Sequence, residues 1–184
     1  MAASIKIMTV PKDGETKDGF EITISRDLID YLQTVKNLLT DMPDAESIPC
    51  PNTSKEHAEF IRDHLIYMGD NWAAGANRSC VPLDSTDYSE EELERSQRIQ
   101  DWTFEKIKKT HEGHPNFEPF YPLYETAEFL GYTQLQHLIS KYVAEYGIKG
   151  KDKHEIRRLL NIENDFTPEE EAEIEKSNAW IYAE

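Results

Sequence analysis

The sequence predicts an α+β fold in which a small β-sheet comes first and helices follow. Three observations carry that expectation. Ser4 to Val10 and Phe20 to Ile24 alternate apolar and polar residues with a period of two, as half-buried strands do. Ile48-Pro49-Cys50-Pro51 must be extended, because two prolines cannot both sit inside a helix. After Thr53, the apolar residues recur at helical spacing.

Taken in order, Ile5 and Ile7 share one strand face, Pro11-Lys12-Asp13-Gly14 is turn chemistry, and Phe20, Ile22 and Ile24 form a second strand antiparallel to the first. Ser25 is placed to cap a helix from Arg26 to about Asp41, with Leu28, Leu32, Val35 and Leu39 as its buried stripe. The proline-bracketed segment suits a short edge strand. Thr53 and Glu56 have capping-box spacing ahead of a helix lined by Phe60, Ile61, His64, Leu65 and Met68, which Gly69 is expected to end. Residues 69–97 are polar and acidic and read as a mobile insertion with a short helix near its end. Ile99, Trp102, Phe104 and Ile107 restart ordered structure to about Lys109. Pro119 and Pro122 confine the next helix start, and that helix runs through Leu123, Ala127 and Leu130 to Gly131. Thr133 and Gln136 are expected to cap a helix carrying Leu135, Leu138, Ile139, Tyr142, Val143 and Tyr146. Asp152 with Glu155 forms a further capping box. The last helix starts at Thr167, with Pro168 at its first position and Glu169, Glu170 and Glu171 in its first turn, where the helix dipole favours negative charge. Its body is too polar to be held by burial alone and calls for a partner surface.

Composition bounds the function. The chain has 184 residues and a formal net charge of -16, which argues against nucleic acid and against anionic membrane surfaces as partners. No apolar run is long enough to span a bilayer, and the first residues lack a signal-peptide core. Cys50 and Cys80 make no metal spacing and are expected to be reduced thiols. His111 and His114 lack a third ligand nearby and read as loop histidines, so neither a cofactor nor a metal site is expected. No nucleophile, base and acid stand at a recognisable spacing. A metal-dependent hydrolase built on the histidines is the enzyme alternative.

One ordered string is specific: Ile148-Lys149-Gly150-Lys151, Glu155-Ile156-Arg157, Asn161-Ile162, then Asn164-Asp165-Phe166-Thr167-Pro168-Glu169-Glu170-Glu171, closing on Trp180. It resembles the Skp-type adaptors, the small subunits of Skp–cullin–F-box ubiquitin ligases. Ser4-Ile5-Lys6-Ile7, Ile48-Pro49-Cys50-Pro51-Asn52 and Ala127 with Phe129-Leu130 extend the resemblance, more loosely, into the front half. The resemblance implies a BTB/POZ fold over residues 1–131 and a helical F-box-binding extension over 132–184. It implies a non-enzymatic adaptor, found in cytoplasm and nucleus, that links F-box substrate receptors to a cullin. Ile139, Val143, Ile148, Ile156, Leu160 and Phe166 are more apolar side chains than short helices can bury among themselves, and would form the F-box groove, with ordinary helical core as the competing reading. Trp180 would anchor there or fold back on its own chain. Tyr124, Glu128 and Phe129 share a helical face by spacing and would meet the cullin. The chain departs from the family at Asp152-Lys153, where Thr-Pro is frequent, and at Glu128-Phe129, where Asn-Tyr is common. The alternative is a BTB-type protein that self-assembles as a homodimer through that surface instead of binding a cullin.

Overall fold

A computed structural model describes residues 4–10, 20–51, 53–71, 89–110, 112, 114 and 116–181. Three strands, β1 (Ser4–Val10), β2 (Glu21–Ser25) and β3 (Ser47–Pro51), form a sheet in the order β2-β1-β3. β1 pairs antiparallel with β2, setting Ile5 opposite Ile24 and Ile7 opposite Ile22, and parallel with β3, setting Ile7 opposite Ile48. The period-two pattern therefore delivers Ile5, Ile7, Ile22, Ile24, Ile48 and Cys50 to one buried face. β3 lies at the sheet edge, where its prolines cost no central ladder bond.

Between β2 and β3 the expected single helix is two. A 3-10 helix (Arg26–Tyr31) ends at Leu32, and α1 (Gln33–Asp41) follows. Successive residues of a continuous helix point about 100° apart. The break at Leu32 lets Tyr31 and Leu32, 4% and 0% exposed, both reach the core. Ser25 makes no cap bond; its hydroxyl binds the Asp27 carboxylate instead.

Helix α2 (Lys55–Asn71) buries Phe60, Ile61, His64, Leu65 and Met68, as the spacing requires. Two of its expected ends differ. The Thr53 hydroxyl faces Thr126 Oγ1 (3.0 Å) and Cys50 Sγ (3.1 Å), and the His57 N–H is received by Ser54 (3.2 Å). Gly69 does not stop the helix. It lies where Leu28 crosses, and a Cβ there would sit 2.5 Å from Leu28 Cδ2. Residues 72–88 of the expected insertion lie outside the described residues. Its acidic end is the start of α3 (Glu90–Thr110), well before Ile99. Ser89 and Glu92 exchange bonds there, Ser89 N–H to Glu92 Oε2 (2.9 Å) and Glu92 N–H to Ser89 Oγ (3.4 Å), so the run of glutamates is a capped N-terminus.

Helix α4 (Phe120–Leu130) ends at Gly131 with φ 70°, a left-handed cap, and α5 (Thr133–Val143) follows. A Cβ on Gly131 would meet the Thr34 backbone nitrogen at 2.5 Å, so the turn needs glycine for space as well as for φ. Thr133 does not cap α5. Tyr132 takes the cap position because its ring is fully buried and its hydroxyl is engaged by His64.

His64 joins three helices. Its Nε2 lies 3.0 Å from Thr103 Oγ1, its Nδ1 2.5 Å from the Tyr132 hydroxyl, and Thr103 donates its proton to the Ile99 carbonyl (2.6 Å). Thr103 can then only accept from His64, so Nε2 carries the proton and Nδ1 accepts from Tyr132. Burial pushes the His64 pKa down from 6.5 to about 3. The core built around this group is continuous from the sheet to α5 and includes Leu135, Leu138, Ile139 and Tyr142, across the residue 131/132 boundary.

A π-helical turn (Ala144–Ile148) prolongs α5, with Gly147 against the Phe117 ring, where a Cβ would lie 2.6 Å from Cε2. Then come α6 (Lys153–Leu159), α7 (Pro168–Asn178) and a 3-10 turn (Ala179–Ile181). Both expected capping boxes form, Asp152 with Glu155 and Thr167 with Glu170.

Two predictions follow from this packing. Gly131→Ala should destabilise the fold by roughly 2–4 kcal/mol in urea denaturation, since it combines left-handed strain with a backbone collision. His64 is neutral when folded and takes a proton when unfolded below pH 6.5, so its contribution is full above pH 6.5 and falls as pH drops toward 3. His64→Gln should flatten the acid limb of stability against pH by up to about 1.4 kcal/mol per pH unit, and an unchanged slope would contradict the assignment.

Candidate functional site: an apolar groove and a charged arm

Helices α4 and α5, the π turn and the end of α6 enclose a groove of about 290 Å³ lined by Phe120, Tyr124, Ile139, Val143, Ile148 and Leu160. Its depth comes from three local features. Pro119 and Pro122 start α4 so that Phe120, Tyr121 and Tyr124 stand on its α5 side. The wider π turn carries Ile148 across the groove end, and the Phe117 N–H donates to the Leu159 carbonyl (2.7 Å), fixing α6 beside α4. Ser140 is its one uncharged hydroxyl-bearing aliphatic among otherwise apolar and aromatic lining residues. Such a wall accepts an apolar helix face and offers little to hold a polar substrate.

The expected groove residues separate by depth. Ile139, 2% exposed, belongs to the core and floors the groove, while Val143 and Leu160 are half-buried on its walls. Ile148 is 46% exposed at the rim. Ile156 is half-buried on α6 outside this lining. Phe166 is exposed, with the Arg157 guanidinium 6.0 Å from its ring centre. Trp180, 73% exposed, does not fold back onto the chain. Tyr124 lies in the groove, half-buried, whereas Glu128 and Phe129 are exposed farther along α4. Phe117, Phe120 and Tyr121 went unrecognised as groove residues in the sequence, although their aromatic spacing around Pro119 and Pro122 was a usable signal.

Beyond the groove, neither α6 nor α7 buries a residue. Charge joins them. Lys153 pairs with Glu171 (3.2 Å) and with Glu175, and Arg157 donates to Glu171 (2.6 Å). The bond to Glu175, reinforced by Glu171, holds the Lys153 pKa above its ordinary value. Arg157 first, then Lys153, holds Glu171 below the ordinary carboxylate range. The Glu171 contribution is therefore present above the usual carboxylate pKa and is lost as pH falls through its lowered value. Their pairing is not foreseen in the sequence reading, yet Lys153/Arg157 and Glu171/Glu175 are both i,i+4 rows, of opposite sign.

Among the described residues no three His, Cys, Asp or Glu side chains gather as a metal site, and no helix is long and apolar enough to cross a membrane. His114 is exposed; His111, Cys80 and the residues after Ile181 lie outside the described residues. Cys50 is a buried free thiol whose pKa is raised by burial.

Because Trp180 touches so little of its own chain, Trp180→Ala should shift unfolding stability by no more than about 0.5 kcal/mol in chemical denaturation. A larger loss would mean that the ring packs intramolecularly.

The family model described as "Skp1 family, dimerisation domain" matches residues 133–181, the stretch from α5 through the charged arm. The chain is 34% identical over 170 residues to an "E3 ubiquitin ligase complex SCF subunit sconC" of Arthroderma otae, covering 90% of each chain. It is 31% identical over 166 residues to the subunit of the same name from Aspergillus fumigatus, covering 90% of this chain and 94% of that one. With the Emericella nidulans subunit it shares 30% identity over 181 residues, 98% of both. Similarity that spans sheet, groove and arm in one alignment, and not the tail alone, means that the chain belongs to the Skp1 family.

Proposed function

We propose that this protein is a non-enzymatic adaptor of an SCF-type E3 ubiquitin ligase, working in cytoplasm and nucleus, with the sheet-and-helix front forming a BTB/POZ unit. The groove between α4, α5 and α6 receives the apolar face of an F-box helix, and Trp180 closes on it from the end of the arm. The observation that carries this reading is the apolar groove of about 290 Å³ with an isoleucine, 46% exposed, at its rim, in a chain whose late Trp180 is 73% exposed and whose surface is otherwise rich in charge. Glu128 and Phe129, exposed on α4 away from the groove, form part of the cullin face. Tyr124, by its position, serves the F-box side. The protein contributes geometry: it holds a receptor at a fixed distance from a scaffold, and the chemistry of transfer belongs to other subunits.

The two faces predict separable losses. Ile148→Asp places a charge at the groove rim and should weaken binding of an F-box domain by about 30-fold or more in calorimetric titration, roughly 2 kcal/mol, while cullin binding stays intact. Phe129→Ala should do the reverse. Full F-box affinity in the Ile148 variant would overturn the groove reading. A homodimer in light scattering that persists when a cullin fragment is added would favour self-assembly over adaptor function.

A further inference from the structure

The arm carries an inference that rests on the groove reading just given and concerns its regulation. Helix α7 is a well-formed helix, with a proline start, a reciprocal capping box and three acidic residues in its first turn. Nothing in it is buried, so its position, unlike its helicity, has no apolar support. What places it is a short ladder of charge. Lys153 and Arg157 lie one turn apart on α6, Glu171 and Glu175 one turn apart on α7, and Glu171 is shared by both cations. Lys153 is also the first residue of α6, where the positive end of the helix dipole disfavours a cation, and the two α7 carboxylates offset that cost. Arg157 turns the same row toward Phe166, so its guanidinium links the α6–α7 loop to the ladder.

We infer that Lys153 and Arg157 form an ionic latch that holds α7 against α6 and thereby sets where Trp180 meets a bound partner helix, and that removing the Lys153 charge releases the arm. The latch is exposed: the Lys153 side chain is 40% accessible and that of Glu175 64%. Salt therefore screens it, and the arm is docked or free according to a few charges while the groove floor, anchored in the core through Ile139, stays unchanged.

The test uses the full chain without a partner. Spin labels on Arg158→Cys and Ser177→Cys, with Cys80→Ser and the buried Cys50 left in place, report the α6–α7 distance by pulsed electron paramagnetic resonance. Both labelled positions are exposed. At low salt the distance distribution should be single and narrow. Lys153→Gln, or about 1 M salt where the Debye length falls to about 3 Å, should broaden it at least twofold, and Lys153→Arg should keep it narrow. In the presence of an F-box domain, Lys153→Gln should speed dissociation about 5- to 10-fold. An unchanged distribution in Lys153→Gln and at high salt overturns the latch even if the Ile148 variant fails to bind. Loss of the groove reading would instead appear as unaltered binding by the Ile148 variant, whatever the label distances show.

Discussion

The corner at Gly131-Tyr132 is the constraint on which the site depends. Gly131 closes α4 with its N–H donated to the Glu128 carbonyl (2.9 Å), and its own carbonyl accepts from Gln33 N–H (3.1 Å), pinning the corner to the start of α1. Tyr132 N–H donates to the Ala127 carbonyl (2.7 Å), and its hydroxyl reaches the His64 ring in the middle of α2. The direction in which α5 leaves α4 is thus decided by three backbone hydrogen bonds and one buried side-chain bond. Everything at the groove follows from that direction: Ile139 and Val143 on α5 face Phe120 and Tyr124 on α4 because the corner turns the chain back on itself. Any side chain at position 131 would push α1 away, and with it the wall against which α4 is set.

Stability declines in steps from this corner toward the chain end. The buried apolar residues from Ile5 to Tyr142 belong to one core. The π turn still has Gly147 packed under Phe117, α6 keeps half-buried Leu159 and Leu160, and α7 has nothing buried. Regions with few apolar contacts open at low free-energy cost. A binding surface built on that gradient has a rigid floor and a compliant roof. In the proposed adaptor, the floor would give a fixed register for a partner helix, and the roof would adjust to partners that share the apolar face but differ around it.

Much of this was legible in the sequence, and the exceptions have definite physical origins. Strand alternation, the α2 stripe, the Gly131 stop and the Asp152 and Thr167 capping boxes were readable because each depends on neighbours a few residues away. The failures were tertiary. The helix after Ser25 breaks at Leu32 to serve a core that no local pattern reveals. Gly69 resembles a helix stop but makes room for Leu28, and Thr133 loses its cap role to the buried Tyr132. The acidic run before Ile99 hid a Ser89–Glu92 capping box, a local signal overlooked because its composition suggested a solvated loop. At the site, the apolar residues of α5 and α6 were visible, but which of them faced inward was not. Ile139 serves core and groove together, and Tyr124 lines the groove while Glu128 and Phe129 are exposed farther along α4.

The net charge of -16 gives the arm its asymmetry. In a chain with 36 acidic and 20 basic residues, a carboxylate on α7 has many like-charged neighbours and few counter-ions of its own. Glu169, Glu170 and Glu173 remain exposed on α7, so the helix carries more negative charge than its two cationic partners neutralise. Self-repulsion of that kind favours an undocked arm, and Lys153 and Arg157 oppose it. The balance lies with the cations because they are scarce: removing one of many glutamates changes the field slightly, whereas removing Lys153 takes away the contact to Glu175 and one of the two to Glu171 at once. A residue pair at the start of α6 that departs from the family's frequent Thr-Pro thus supplies both halves of the arrangement, Asp152 to begin the helix and Lys153 to hold the next one.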